Sequence, residues 1–404
     1  MTDPDLSAWV ADARAVRVDE VISRRSIKLR RAGNELVGPC PVCGGRDRFG
    51  VNLRKNVWNC RGSGRGGDAI ALVEYLDGAD FLAACEWLTG YPPPRGEGTR
   101  ASAEELAARE AERRAREDQQ RQDAETYREA ERQRLYRQWK GLRPIAGTGA
   151  EVYLREIRGL DIPAGAHLRF ARDLPYYHGK HMVDGRERHR VVHSGPALVA
   201  ATTLGNGHFA GLHFTWLDLN APKGRPVLVC PETGEILPPK KVRGQQQGAR
   251  IVLVPGGAEP CGMASGEGIE STLSVWTSLA RQGRAEADWL WVAAISLGNL
   301  AGPARASVAH PTLKNIGKDG KPRPRRVPGP EPKLTERALP VPDSVRDQLL
   351  LADADSDPFT TRLAMQRAEA RHGAEGRRVV TAWPTPGLDF NDMLLGKQPP
   401  EGAA

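Results

Sequence analysis

The sequence predicts a multidomain α/β protein: a small cysteine-bearing module, a long charged helix, a mixed α+β subdomain, and a C-terminal domain on a mostly parallel sheet. Three observations carry this reading. Three of the six cysteines, Cys40, Cys43 and Cys60, fall in one short N-terminal segment. Residues 102–139 are dominated by Ala, Glu, Arg and Gln, with no sustained apolar seam. From residue 262 onward, short apolar runs alternate with helix-patterned stretches, as βαβ units require.

A chain of 404 residues can bury two or three domain cores without help from disulfides. Six unevenly placed cysteines fit a reducing compartment and a metal site better than a secreted disulfide framework. The N-terminus is acidic and polar, and no apolar run approaches the roughly 18 residues needed to cross a bilayer. The expectation is a cytoplasmic protein with no membrane partner. A net charge of +8 points to polyanionic partners.

In chain order, residues 8–22 carry a short helical pattern, followed by β-like stretches at 26–30 and 35–38. Residues 68–76 repeat apolar side chains at helical spacing, with Asp68 placed to cap the first turn, and a second amphipathic stretch covers 80–88. These complete a first module over 1–92, which the Pro-rich run after Tyr91 ends. Residues 93–142 form a charged helical linker, about 55 Å long if residues 102–139 are continuous helix. Residues 143–258 hold a helix at 150–157 and strands at 197–201, 210–217 and 250–254. The last domain, 259–400, alternates strand 262–265, helix 269–279, strands 289–295 and 348–352, helix 358–371 and strand 377–383. A basic insertion at 303–343, rich in Pro and Gly and without a core pattern, is expected to be a mobile loop.

Two acidic clusters stand where strands of the last domain end: Glu267 with Glu270, and Asp353, Asp355 and Asp357. Ligands at the carboxyl ends of parallel strands are where open α/β sheets place their chemistry. Crowded carboxylates repel unless a divalent cation balances them, and hard oxygens without nearby His or Cys select Mg²⁺ or Mn²⁺. Glu267 is read as metal ligand or base, Asp357 as ligand or helix cap, and Glu270 as a second acid or a solvent-facing first-turn residue.

Cys40-x2-Cys43 and Cys60 lie at zinc-ribbon spacing, with Ser63 at the fourth position. Zn²⁺ held by three thiolates plus water or a remote ligand, and a ribbon folded without metal, both remain open; Cys85 reads as a core residue. Arg46, Arg48, Lys55, Arg61 and Arg65 surround the cysteines, with Phe49 and Trp58 between them. Cations for phosphates and aromatics for stacking suit a single-strand reader, although the two rings equally suit a small core. Lys240, Lys241 and Arg243 precede a glycine-bounded loop and are candidates to hold triphosphate or nucleic-acid backbone.

The run Gly38-Pro39-Cys40-Pro41-Val42-Cys43, then Phe49-Gly50-Val51, Trp58-Asn59-Cys60-Arg61-Gly62-Ser63 and Gly66-Gly67-Asp68, resembles the CHC-type zinc finger of DnaG-type primases. Glu267-Gly268 opening a helix, followed much later by Asp353-x-Asp355, resembles the Toprim domain. Two more stretches resemble this family: Ser296-Leu297-Gly298-Asn299, and Gly387 to Asp392, whose Asp389 and Asp392 either assist metal or cap a helix. The departure is Ser63, where the family has cysteine. The resemblance implies a phage or mobile-element DNA primase that copies single-stranded DNA from ribonucleoside triphosphates, with Mg²⁺ at Glu267, Asp353 and Asp355, near the nucleoid. No Gly-x4-Gly-Lys-Ser/Thr loop is present, so the expectation is a separate helicase in trans or none. The alternatives are a non-catalytic nucleic-acid-binding replication accessory and a Toprim nuclease.

Overall fold

The structure is a computed structural model that describes residues 4–32, 35–94, 103–184, 186–316, 322–353, 357–373 and 376–399. The chain forms two compact units, residues 1–127 and 128–404.

The first unit opens with α1 (Pro4–Ala15) and α2 (Val18–Arg24). The single helix expected over 8–22 is therefore broken: the Asn56 side chain accepts from the Val18 N–H at 2.8 Å, starting a new helix there. An antiparallel sheet follows in sequence order: β1 (Arg30–Ala32), β2 (Glu35–Cys40), β3 (Gly44–Asn52), β4 (Val57–Cys60) and β5 (Arg65–Gly67). Asp68 and Asp80 cap α3 (Ala69–Asp77) and α4 (Phe81–Thr89) by accepting from Ala71 N and Ala83 N, at 3.0 and 2.8 Å. Trp9, Phe49, Trp58, Leu72 and Tyr75 meet in one core between the helices and the sheet.

Helix α5 spans Ala103–Gly141. Its charge pairs follow the sequence pattern, but its C-terminal end does more than link. Leu135 is fully buried against Ala171, Val199 and Leu212, with Trp139 packed beside it. One apolar stripe among many charges thus roots this end of the helix in the second unit.

That unit is built on a ten-stranded sheet. Its antiparallel half contains β6 (Arg143–Pro144), the hairpin β7 (Leu168–Val183) and β8 (Arg186–Leu204), and β9 (Phe209–Trp216). The ribbon β10 (Leu228–Val229) and β11 (Ile236–Leu237) stands apart, while β12 (Lys240–Gly244) pairs with β9 and β13 (Ala249–Val254) pairs with the end of β8. Helix α6 (Gly149–Val152) runs into a π-turn at Tyr153–Ile157.

The other half carries β14 (Gly262–Gly266), α7 (Ile269–Arg281), β15 (Trp289–Ala293) and α8 (Leu297–Ala301). Then come β16 (Ser307–Ile316), β17 (Pro322–Pro328), β18 (Asp347–Leu351), α9 (Pro358–Gly373), β19 (Arg378–Ala382) and α10 (Phe390–Leu394). Strands β15, β14, β18 and β19 are parallel neighbours in that order, with β13 antiparallel against β15. Side chains alternate between the faces: Ile251, Leu253 and Ala293 pack with Ile269 and Leu273 of α7, while Val252, Val292 and Ala294 pack with Leu300, Ala364 and Met365 of α8 and α9. The strand and helix sequence expected over 262–383 is present.

The insertion at 303–343 differs from the expected loop. It contains the antiparallel hairpin β16–β17, whose root is fixed by α9. The Arg367 guanidinium donates to the carbonyls of Gly302, at 2.8 Å, and Gly329. His310 is buried, 3.0 Å from Asp357 and edge-on to the Phe359 ring. A composition without core residues concealed an element held by side chains from elsewhere.

Candidate metal centres

Parallel pairing aligns Gly266, the last residue of β14, with Leu351, the last residue of β18. Glu267 and Asp353 therefore leave the sheet at the carboxyl ends of adjacent strands, Glu267 just before α7 begins. Glu267 is half-buried, and among the described residues its Oε2, which lies away from solvent, has no hydrogen-bond partner. Burial, and then the charge of Asp353, push its carboxyl above the ordinary glutamate range, against the Leu297 N–H and the Lys240 charge. An orphaned buried carboxylate oxygen beside a second carboxylate is a donor set that a divalent oxygen-loving cation satisfies. Asp355 lies outside the described residues.

The turn that supplies the Leu297 N–H is strained. Ile295, a β-branched residue, has φ of +75°, in the left-handed region that such side chains avoid. Ser296 then caps α8 by accepting from Asn299 N at 3.2 Å. Buried Asn299 fixes the turn from behind, donating to the carbonyls of Ala249 and Ala294 at 2.7 and 2.8 Å.

Beneath the first turn of α7 lies a buried polar cluster that the sequence reading did not assemble. Glu270 Oε1 accepts from Tyr153 Oη at 2.7 Å, and Oε2 accepts from Lys240 Nζ at 2.8 Å. Arg158 donates to Tyr153 Oη at 3.2 Å and to Asn391 Oδ1 at 3.0 Å, while Asn391 donates to Ser274 Oγ at 3.1 Å. Burial alone would raise the Glu270 carboxyl, but Lys240, Arg225 and Arg158 overcome it and hold the group far below the carboxylate range. Glu270 is thus a charged structural anchor, not a solvent-facing helix acid. His213, buried nearby, is pushed down to about 4 by desolvation and by Lys240. The spacing of these groups along the chain, from Tyr153 to Asn391, gave no local signal.

Several expected ligands have other engagements. Asp357 caps α9, accepting from Thr360 N at 2.8 Å, and contacts His310; the Thr360 bonds, with His310 after them, hold it at about 2. Asp389 and Asp392 form a reciprocal capping box on α10. The three cations near the last domain are likewise occupied: Lys240 by Glu270, Lys241 by the Tyr177 carbonyl and the Tyr176 ring, and Arg243 by Glu131 at 2.9 Å. A phosphate at this place would share these side chains with their present partners.

In the first unit the cysteine spacing does bring a cluster together. The Sγ atoms of Cys40, Cys43 and Cys60 lie within 4.8 Å of one another, and Cys43 and Cys60 approach to 3.4 Å. Ser63 donates its N–H to Cys60 Sγ at 3.4 Å. Against the cost of burial, the Ser63 hydroxyl and N–H bring the Cys60 thiol down to about 6, whereas the bond to Cys60 raises Cys43. Three thiols grouped this closely suit Zn²⁺. Cys85 is buried in the core, as expected.

Phe49 and Trp58 correct the stacking expectation. They are 0% and 3% exposed, stack on one another with centroids 5.5 Å apart, and Trp58 continues onto Tyr75 at 4.7 Å. Buried in the core with Trp9 and Tyr75, these two rings offer no face to a base. Arg48, Lys55, Arg61 and Arg65 are exposed around the cluster, and the Arg46 side chain lies outside the described residues.

Comparison with known proteins agrees with the cysteine centre. Residues 10–91 match the CHC2 zinc finger family, and residues 129–253 match a domain of unknown function, DUF7146. A DNA primase of Halalkalibacterium halodurans is 33% identical over 76 residues, which span 19% of this chain and 12% of that protein. Among solved structures, the zinc-binding and RNA polymerase domains of the Aquifex aeolicus primase align over 96% of this chain and 82% of theirs, at 14% identity and a TM-score of 0.33. A DNA primase domain from Pseudomonas aeruginosa aligns over 65% of this chain and 73% of its own, at 12% identity and a TM-score of 0.33. Among the described residues no helix is long and apolar enough to cross a membrane. Residues 10–91 are thus similar to the CHC2 zinc finger family, and part of the chain is similar to a DNA primase.

Proposed function

We propose that this chain is a DNA primase that extends ribonucleotides on single-stranded DNA, with residues 259–400 acting as a Toprim catalytic domain. The observation that carries the reading is the orphaned Oε2 of Glu267 beside Asp353, at the carboxyl ends of two adjacent parallel strands. Glu267, Asp353 and Asp355 would hold Mg²⁺ or Mn²⁺, which when bound lowers the pKa of the primer 3′-hydroxyl and neutralises the leaving pyrophosphate.

The protein's own contribution is placement. β14 and β18 fix the separation of the carboxylates, the Ile295–Leu297 turn aims a backbone N–H at Glu267, and the Lys240–Glu270 pair pins the first turn of α7 behind it. The zinc-finger module, with Arg48, Lys55, Arg61 and Arg65 exposed, would bind template phosphates. A replicative helicase would act in trans, and the setting would be the cytoplasmic nucleoid.

The test is Mg²⁺-dependent incorporation of labelled ribonucleotides on mixed-sequence single-stranded DNA by wild type, Glu267→Gln, Asp353→Asn and Asp355→Asn. Short products from wild type alone are expected. Cleavage of the DNA in the absence of nucleotides would instead establish a nuclease, and DNA binding without either activity would establish a replication accessory.

A further inference from the structure

The zinc-finger module has three thiols and, at the fourth position, a serine. A fourth oxygen donor nevertheless faces the cluster. Tyr75, on the inner face of α3, is 7% exposed, and its Oη lies 3.1 Å from Cys40 Sγ. The same hydroxyl interacts with Cys43, Cys60 and the Ser63 side chain, so it points into the middle of the group. Its ring is clamped by the stack on Trp58, whose Nε1 donates to the Asp68 carbonyl at 3.1 Å. The phenol is therefore aimed by the core of the module.

We infer that Tyr75 closes the metal site, its phenolate oxygen serving as the fourth zinc ligand in place of a thiolate at residue 63. Tetrahedral zinc with Zn–S bonds of about 2.3 Å and a Zn–O bond of about 2.0 Å places sulfur and oxygen about 3.5 Å apart. The observed 3.1 Å requires movement of a few tenths of an ångström, less than a rotamer change. Burial, and then the hydrogen bond to Cys40, hold the Tyr75 phenol above its ordinary range in the metal-free module, so the assignment rests on where the oxygen stands, 3.1 Å from Cys40 Sγ. Ser63 is also engaged elsewhere, accepting from Arg65 N at 3.4 Å.

Charge supports the assignment. Three thiolates and a phenolate leave the zinc centre with two net negative charges, the same as four thiolates. Cations stand ready for both: Arg48 hydrogen-bonds to Cys43, and the Arg65 guanidinium sits 5.4 Å from the centre of the Tyr75 ring. The Arg48 side chain crosses Gly45 and Gly62, where an added Cβ would meet it at 2.1 and 2.5 Å, so both glycines keep room for that counter-charge. On metal binding, the three thiols and the phenol release their protons to solvent and no bond other than those to hydrogen is broken.

The experiment uses the full chain, purified reduced, with zinc content measured by elemental analysis and Zn²⁺ affinity by chelator competition. Zinc addition to metal-free wild type is expected to produce the near-ultraviolet difference band of an ionised phenol. Tyr75→Phe, which keeps the ring stack on Trp58, should lose that band and weaken zinc binding at least about tenfold, the scale of a lost ligating contact. Adding Ser63→Cys to Tyr75→Phe should restore affinity without restoring the band. Wild-type zinc binding with no phenolate band, or equal affinity in Tyr75→Phe, would overturn the assignment in favour of Ser63 or water. Wild type that takes up no zinc would overturn it in favour of a hydrogen-bonded thiol and phenol cluster. Should Tyr75→Phe fail to fold, the wild-type band alone decides.

Discussion

Replacing Lys240 with methionine removes the ammonium that neutralises a carboxylate buried beneath α7. The pair is 2.8 Å apart, with the Lys240 side chain 30% and Glu270 9% exposed. At an effective dielectric near 20, Coulomb attraction at that separation is about 6 kcal/mol before desolvation is counted. Breaking a buried pair by deleting one partner generally costs about 3–5 kcal/mol, because the remaining charge is left uncompensated. Arg158, Arg225 and the Tyr153 hydroxyl still serve Glu270, so the low end, about 3 kcal/mol, is expected. Adding Glu270→Gln removes the stranded charge while keeping an acceptor for Tyr153, and should recover roughly half of the loss. Urea unfolding gives the magnitude, and because the two units can unfold separately, native-state hydrogen exchange at β14 and α7 locates it. A loss below about 1 kcal/mol with unchanged exchange there, accompanied by weaker nucleotide binding, would refute the argument and return Lys240 to the role of a ligand-facing cation.

Three further outcomes follow from the same sites. Glu267 has a raised carboxyl pKa in the folded state, so its charge opposes folding above the ordinary glutamate pKa; Glu267→Gln should abolish nucleotide incorporation while stabilising the protein by about 0.5–2 kcal/mol in chemical denaturation. His213 has a depressed folded pKa, so its contribution to stability is complete above about pH 6.5 and is lost as pH falls toward 4; a His213→Leu variant should show a flatter stability profile across that window in pH-dependent unfolding. Asp357 caps α9, so Asp357→Ala should lower the melting temperature by calorimetry, yet retain the Mg²⁺ dependence of wild type in the incorporation assay; loss of that dependence would restore Asp357 to the metal site.

The parts of the molecule legible in the sequence are those encoded by neighbouring residues. Asp68 and Asp80 announce their helices because a cap acts within three residues, and the strands from 262 to 383 stand out because a strand buried on both faces needs a continuous apolar run. The cysteine cluster was legible from spacing alone. What remained hidden depends on distant partners. Strand β7 is polar and interrupted by Pro175, and becomes a strand only through its pairing with β8. Phe49 and Trp58 read equally well as stacking residues or as core until Tyr75 arrives from α3 to complete the stack. The cluster around Glu270 joins Tyr153, Lys240 and Asn391, which no window along the chain contains.

The arm formed by β16 and β17 bears on how such a protein can diversify. Its base is bolted to α9 by Arg367 and His310, while most residues of the two strands face solvent. Stability is thus vested in the anchorage and hardly at all in the projecting part. Changes of length, charge or sequence in the outer arm leave the parallel strands and their carboxylates where they are, so this locus can acquire new surface chemistry without disturbing the sheet. It is a natural point of insertion for an engineered domain or tag.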